Sequence, residues 1–299
     1  MNTDKKKNQI INQAWIDYNP EIVKINEDKI KSFIINDSHR SVVAGAEIEA
    51  LKENTLKESV SYLIGLNSIN YQYWDLLGGE FLRYSNNDLV GALASFEGFS
   101  KLYAYMLENE FSVDLINVKL ITKFYGDIPD KKNRVKILQE SLNPKNIELV
   151  FNILDSHIKC SDINVELASK IAQVLPLSYD EPYLKKIQLA LYAIAQLYNI
   201  KGHNIKCDIT VPVDYQIPKV LEAEGVLEYC STLQNKIKNF ELIESQGAEE
   251  RALRGATTIA CEMISVEHNI SIPALDRYLW LIRNNYKGKN FHLTKTTNY

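Results

Sequence analysis

SVSYLIGLNSINYQYWD, residues 59–75, carries Leu63, Leu66, Asn70 and Trp74 at the i, i+3, i+7, i+11 spacing that lines side chains along one helical face. The stretch predicts a helix that is apolar on nearly every side, and therefore a buried one. The same period returns in LVGALASFEGFSKLYAYML (89–107), NRVKILQESL (133–142), NIELVFNIL (146–154), VELASKIAQVL (165–175) and YLKKIQLALYAIAQLY (183–198). Glycine (12) and proline (8) are scarce for 299 residues, so little interrupts that period. The fold class this predicts is all-α. Breaks at YGDIPDKKN, LNPKN, SYDEP, NIKGHNIKCDITVPVD, ESQGA and NISIP are short, and no Ser/Gly linker, low-complexity tract or fixed-period repeat occurs. One compact multi-helix domain over 1–299 is expected. CDITVPV (207–213) alternates in hydropathy and predicts a short strand or an extended strap.

A net charge of −4 argues against sequence-independent nucleic-acid binding, which needs a broad basic footprint; a small phosphorylated ligand needs only a local pair of cations. Cys160, Cys207, Cys230 and Cys261 form no CxxC pair and no zinc-like spacing, so free thiols in a reducing compartment are expected. His39, His157, His203, His268 and His292 are scattered without HxxxH or HExxH spacing, and no metal site is expected. GxGxxG, GxxxxGK[ST] and GxSxG are absent, which argues against dinucleotide, P-loop and serine-hydrolase chemistry. MNTDKKKNQIINQAW lacks the apolar block of a signal peptide, and no charge-free run is long enough to span a membrane. A cytoplasmic protein without a membrane partner is expected.

Five places hold candidate site residues. In VPVDYQIPKVLEAEGVL (211–227), Pro212 and Pro218 push Val211 and Ile217 toward extended geometry, so Asp214 and its neighbour Tyr215 lie on a pre-ordered strap. The plain reading of Asp214 is a cap for the helix that Pro218 opens. Asn70 and Trp74 come next: an amide on an apolar stripe either ties helices together or meets a polar ligand, and Tyr71, Tyr73 and Trp74 offer flat surfaces to a nucleobase or simply fill the core. In QGAEERALRGATTIACEMI (246–264), Arg254 could hold an anion or pair with Glu250 one turn earlier. In SIPALDRYLWLI (271–282), Asp276 is either a partly buried proton donor or a first-turn acid that suits the helix dipole. Of Lys185 and Lys186, adjacent on a helix, at most one is expected to enter a site, and a solvated pair is the default.

NSINYQYWD (67–75), VDYQIPKVLEAEGVLEYCSTL (213–233), EERALRGATTIACE (249–262) and ALDRYLWLIR (274–283) together resemble the queuosine salvage protein family, the queuosine 5′-phosphate N-glycosylases. EIVKINEDKIKSF near the start is also similar to that family's N-terminal segment. The resemblance implies an all-helical domain distantly like helical DNA glycosylases. It also implies hydrolysis of the N-glycosidic bond of queuosine 5′-monophosphate, which frees queuine for tRNA modification without a metal or organic cofactor. Asp214 matches the catalytic acid of the strap. Asn70 and Trp74 match the family's aromatic helix, where Tyr71 and Tyr73 stand in place of the usual Phe; Lys185, Arg254 and Asp276 match further motif positions, and Tyr71 and Tyr215 are expected to join them in binding substrate. The chain has KKIQ where the family shows KRAQ, DYQ where it shows DYR, and Ala252 where it shows Glu. Those departures keep two other expectations open: a glycosylase for a different modified nucleotide, and a catalytically silent helical module that binds a nucleotide or a protein.

Overall fold

The computed structural model describes residues 5–35 and 46–299; His39 lies outside the described residues. The fold is predominantly α-helical, and its strands are short and paired two by two. The chain divides into two compact units. One gathers the described part of Met1–Gly45 with Asp162–Glu166 and Lys206–Thr296; the other gathers Ala46–Ser161, Leu167–Ile205 and Thr297–Tyr299.

In the first unit, helix Lys5–Asp17 packs along helix Ala248–Glu267. Strand Val23–Ile25 pairs antiparallel with Leu227–Tyr229, with Lys24 opposite Glu228, so the N-terminal segment is woven into the core. Helices Gln216–Ala223, Ala248–Glu267 and Ile272–Ile282 pack on one another. Val220, Leu221, Leu253, Ala256, Ala260, Leu275 and Leu279 on these helices are buried. The alternation of CDITVPV is split: Cys207–Asp208 pairs in parallel with Ile163–Asn164, and the rest runs as an extended strap with Ile209, Val211 and Val213 buried.

In the second unit the expected helices stand at Ala92–Glu108, Lys131–Ser141, Pro144–Ile158 and Lys185–Ile200, together with Val165–Val174 from Leu167 onward. Helix Leu56–Ser68 begins at a reciprocal cap: the Glu58 N–H donates to Thr55 Oγ1 at 3.2 Å, and the Thr55 N–H donates to Glu58 Oε2 at 3.0 Å. Its core is aromatic, built from Tyr71, Tyr73, Tyr84, Phe99, Tyr103 and Tyr125 around Leu66, Leu102 and Met106.

One expectation is corrected. The stripe Leu63, Leu66, Asn70, Trp74 does not lie on one helix, because the helix stops at Ser68 and Trp74 opens the strand Trp74–Leu77, paired with Glu80–Arg83. Gln72, at φ 37°, lies in the left-handed region that no helix continues through.

Candidate functional site

The strap delivers Asp214 at the mouth of helix Gln216–Ala223. Its Oδ1 accepts the N–H of Gln216 at 2.7 Å and that of Ile217 at 3.2 Å, which satisfies two of the donors that every helix start leaves open. Val213, Tyr215, Ile217 and Pro218 around it are buried, whereas Asp214 itself is only partly so. The Tyr215 ring stacks on Phe291 with centroids 4.4 Å apart, and the Tyr229 hydroxyl donates to the Pro218 carbonyl at 2.9 Å. Both ends of the carboxylate's short segment are therefore fixed by packing.

Arg283, which no sequence motif marks, brings a cation to this carboxylate. Burial pulls its pKa below the ordinary value, and the charge of Asp214 pushes the other way. The guanidinium lies 3.4 Å from the Trp280 ring centroid and donates to the Trp280 carbonyl, an arrangement that aims a planar cation.

Helix Ala248–Glu267 carries Arg254 inward, at 3% exposure. A pairing with Glu250 on an exposed helix face does not describe it, since Glu250 is buried as well and its Oε2 accepts the Gln246 N–H. The buried His292 senses Arg254: desolvation, with the guanidinium charge adding to it, pushes the imidazole down to about 3 and keeps it neutral near neutral pH. Helix Ile272–Ile282 begins at Ser271 and Pro273 as the sequence announces. Asp276 lies beyond its first turn, which removes the simple helix-dipole reading. It is buried, at 9% exposure, and its charge helps raise the Cys261 thiol on the neighbouring helix. Asp214, Tyr215, Arg254 and Asp276 all belong to the first unit.

Asn70, Tyr71, Trp74 and Lys185 belong to the second. The default of a solvated lysine pair is overturned, because Lys185 and Lys186 are each 2% exposed. Lys186 Nζ donates to the Ser68 carbonyl at 2.8 Å and Lys185 Nζ to the Asn70 carbonyl at 3.0 Å. Arg134 completes the row, donating to the carbonyls of Ile69 at 2.6 Å, Tyr71 at 2.7 Å and Gln72 at 3.1 Å. Five consecutive carbonyls, 68 to 72, are thus held by three basic side chains from two other helices. This capture ends the helix where the apolar period alone would continue it.

Tyr71 is buried between bases, with Arg134 4.0 Å and Lys186 5.1 Å from its ring centroid, and its hydroxyl donates to Asp130 at 3.3 Å. Trp74 is buried against Phe81 at 6.5 Å between centroids. Asn70 remains partly exposed, and its Oδ1 accepts the Tyr73 hydroxyl at 3.2 Å. Arg134 carries no sequence signal of a special role, because NRVKILQESL reads as an ordinary amphipathic helix. Its one legible oddity is an arginine directly after the proline-containing break YGDIPDKKN.

Among the described residues, no group of three or more His, Cys, Asp or Glu is placed to hold a metal ion, and no helix is long and apolar enough to cross a membrane. No curated protein matches the chain. The model of the queuosine salvage protein family matches residues 50–299, a stretch that includes the strap, the helix of Arg254 and the carbonyl row. That match covers most of the sequence, so the chain belongs to the queuosine salvage protein family, and this membership supports a role in queuosine salvage.

Proposed function

We propose that the protein hydrolyses the N-glycosidic bond of queuosine 5′-monophosphate, or of queuosine, and releases queuine for reuse in tRNA modification. The observation that carries this reading is the Asp214 carboxylate, with one oxygen fixed by two backbone N–H groups on a proline-framed strap. Cleaving a ribosyl C1′–N bond builds positive charge on C1′ and the ring oxygen, and a carboxylate already in place stabilises that charge without reorganising. Capping and catalysis are compatible roles here: both N–H bonds fall on Oδ1, which leaves Oδ2 for the reaction. Water supplies the hydroxyl that ends on C1′, delivered either directly with Asp214 as base or after an ester to Asp214.

A 7-deazaguanine base has carbon where purines carry N7, so departure cannot be helped by protonation there. Hydrogen bonds donated to the rest of the base edge must take the growing negative charge, and the buried Asp276, in its protonated form, is the candidate donor on the catalytic unit. Arg254 suits a 5′-phosphate through charge-assisted bonds.

The test is direct. Purified protein is incubated with queuosine 5′-monophosphate, queuosine and guanosine 5′-monophosphate, and free base is followed by chromatography. Release from a queuosine substrate and none from the guanosine nucleotide is expected. A ligand-dependent rise in Tm with no release from any of them would overturn the reading in favour of a silent binding module.

A further inference from the structure

We infer that Arg283 receives the 5′-phosphate of the nucleotide and is the residue that sets the phosphorylated substrate above the free nucleoside. The inference rests on the proposed role of Asp214 and names what decides between the two substrates left open there.

The backbone places this arginine beside the strap. Arg283 opens the short turn Arg283–Tyr286 that follows helix Ile272–Ile282, and the turn packs on helix Gln216–Ala223, the helix that Asp214 caps. Three further contacts tie this stretch to that helix and its two ends: the Tyr286 hydroxyl donates to Glu224, Lys289 Nζ pairs with Glu222, and the Phe291 ring stacks on Tyr215. The arginine side chain is aimed from its own chain, with the guanidinium over Trp280 and Nη1 on the Trp280 carbonyl. Asp214, Trp280 and Arg283 are each partly exposed, and all three lie in the first unit.

The pair has spare bonding capacity. Among the described residues Nε and Nη2 of Arg283 donate to nothing, Oδ2 of Asp214 accepts nothing, and no ion pair joins the two. They are nevertheless near enough for the Asp214 charge to bear on the guanidinium. A partly buried guanidinium with two open nitrogens, beside a carboxylate it does not pair with, is a receptor for a second anion. The ribose of a nucleotide offers that arrangement, because C1′ meets the carboxylate while the phosphate hangs from C5′ of the same sugar. Arg254, the other arginine suited to this phosphate, is 3% exposed, whereas Arg283 keeps a face open to solvent.

The guanidinium charge bears on the chemistry as well as on binding. Positive charge grows on C1′ as the glycosidic bond breaks, and a cation left unanswered nearby opposes that growth. A phosphate seated on Arg283 cancels the opposition and leaves Asp214 to stabilise the sugar. A nucleoside brings no such anion and is turned over more slowly even at saturation.

Two measurements test this. For Arg283→Gln, with Tm recorded, the ratio of kcat/KM for queuosine 5′-monophosphate to that for queuosine is expected to fall about 10- to 100-fold, the scale of a lost charge-assisted bond. Arg283→Lys should recover part of that ratio. A ratio equal to the wild type's, with both substrates affected alike, would overturn the inference. Without turnover, the unaltered protein is expected to bind ribose 5-phosphate at least about tenfold more tightly than ribose in calorimetry. Phenylglyoxal modification of Arg283, read by peptide mass, should slow with ribose 5-phosphate and not with ribose. Equal binding of the two sugars, or equal modification, would overturn the inference, and decides the matter if the variants do not fold. Selective binding of ribose 5-phosphate at Arg283 with no base release from either queuosine substrate contradicts the proposed hydrolysis alone.

Discussion

Lys185 and Lys186, adjacent in sequence, both turn inward where helix Leu56–Ser68 ends, with Nζ on the carbonyls of Asn70 and Ser68. Helix geometry sends neighbouring residues about 100° apart. Both are buried because helix Lys185–Ile200 packs on helix Leu56–Ser68 and each Nζ meets a carbonyl beside that helix's end.

Burial pulls Lys186 well below its usual 10.5, with the charge of Lys185 adding to the effect. Below 10.5 the unfolded chain holds a proton on this residue that the folded chain binds more weakly, so stability rises with pH between the depressed folded value and 10.5. Lys186→Met removes that dependence. Urea titrations from about pH 7 to about pH 9 should show the wild type gaining stability relative to the variant as pH rises. A constant difference across the range would contradict it.

His292 titrates in the opposite part of the scale. Its folded value near 3 lies below the ordinary 6.5, so the unfolded chain takes up a proton first as pH falls. The contribution is whole above 6.5 and is lost as pH drops toward 3. Each pH unit inside that window costs up to about 1.4 kcal/mol from this group. His292→Gln should flatten the acid limb of a plot of urea midpoint against pH, and an unchanged limb would remove His292 from the account.

Gly255 marks a close approach between helices. A Cβ there would lie 2.6 Å from the Ala14 carbonyl oxygen and 3.0 Å from the Tyr18 nitrogen, both backbone atoms that cannot swing aside. Gly255→Ala should force helix Lys5–Asp17 away from helix Ala248–Glu267 and destabilise by about 1–3 kcal/mol, as overpacking does. Thermal denaturation checks this, and a Tm equal to the wild type's would contradict the close packing. The prediction also concerns the segment before residue 50, which the family match does not cover but which the first unit buries through Ile10, Ala14 and Val23.

The sequence was most legible where local rules act alone. Apolar periodicity marked the helices, Ser271 with Pro273 marked the start of Ile272–Ile282, and the prolines around Asp214 marked an ordered strap. It misled where distant residues intervene. Leu63, Leu66, Asn70 and Trp74 have helical spacing, yet Arg134, Lys185 and Lys186 capture the carbonyls that a continuing helix would have used. A capture across more than sixty residues leaves no periodic trace. Arg283 escaped for a related reason: its relation to Asp214 exists only once helices Gln216–Ala223 and Ile272–Ile282 pack together.

Asp214→Asn separates the two roles of the strap's acid, because an asparagine Oδ1 still accepts the Gln216 and Ile217 N–H groups while the charge is gone. Asp214→Ala would lose the cap too, at about 1 kcal/mol. The decisive measurement is the rate of queuine release from queuosine 5′-monophosphate by Asp214→Asn beside the wild type, with Tm recorded for both. An unchanged Tm with a rate lower by about 100-fold or more is expected, the scale on which a preorganised electrostatic group acts. Full release by the variant would show that Asp214 only caps a helix, and would contradict the proposed mechanism.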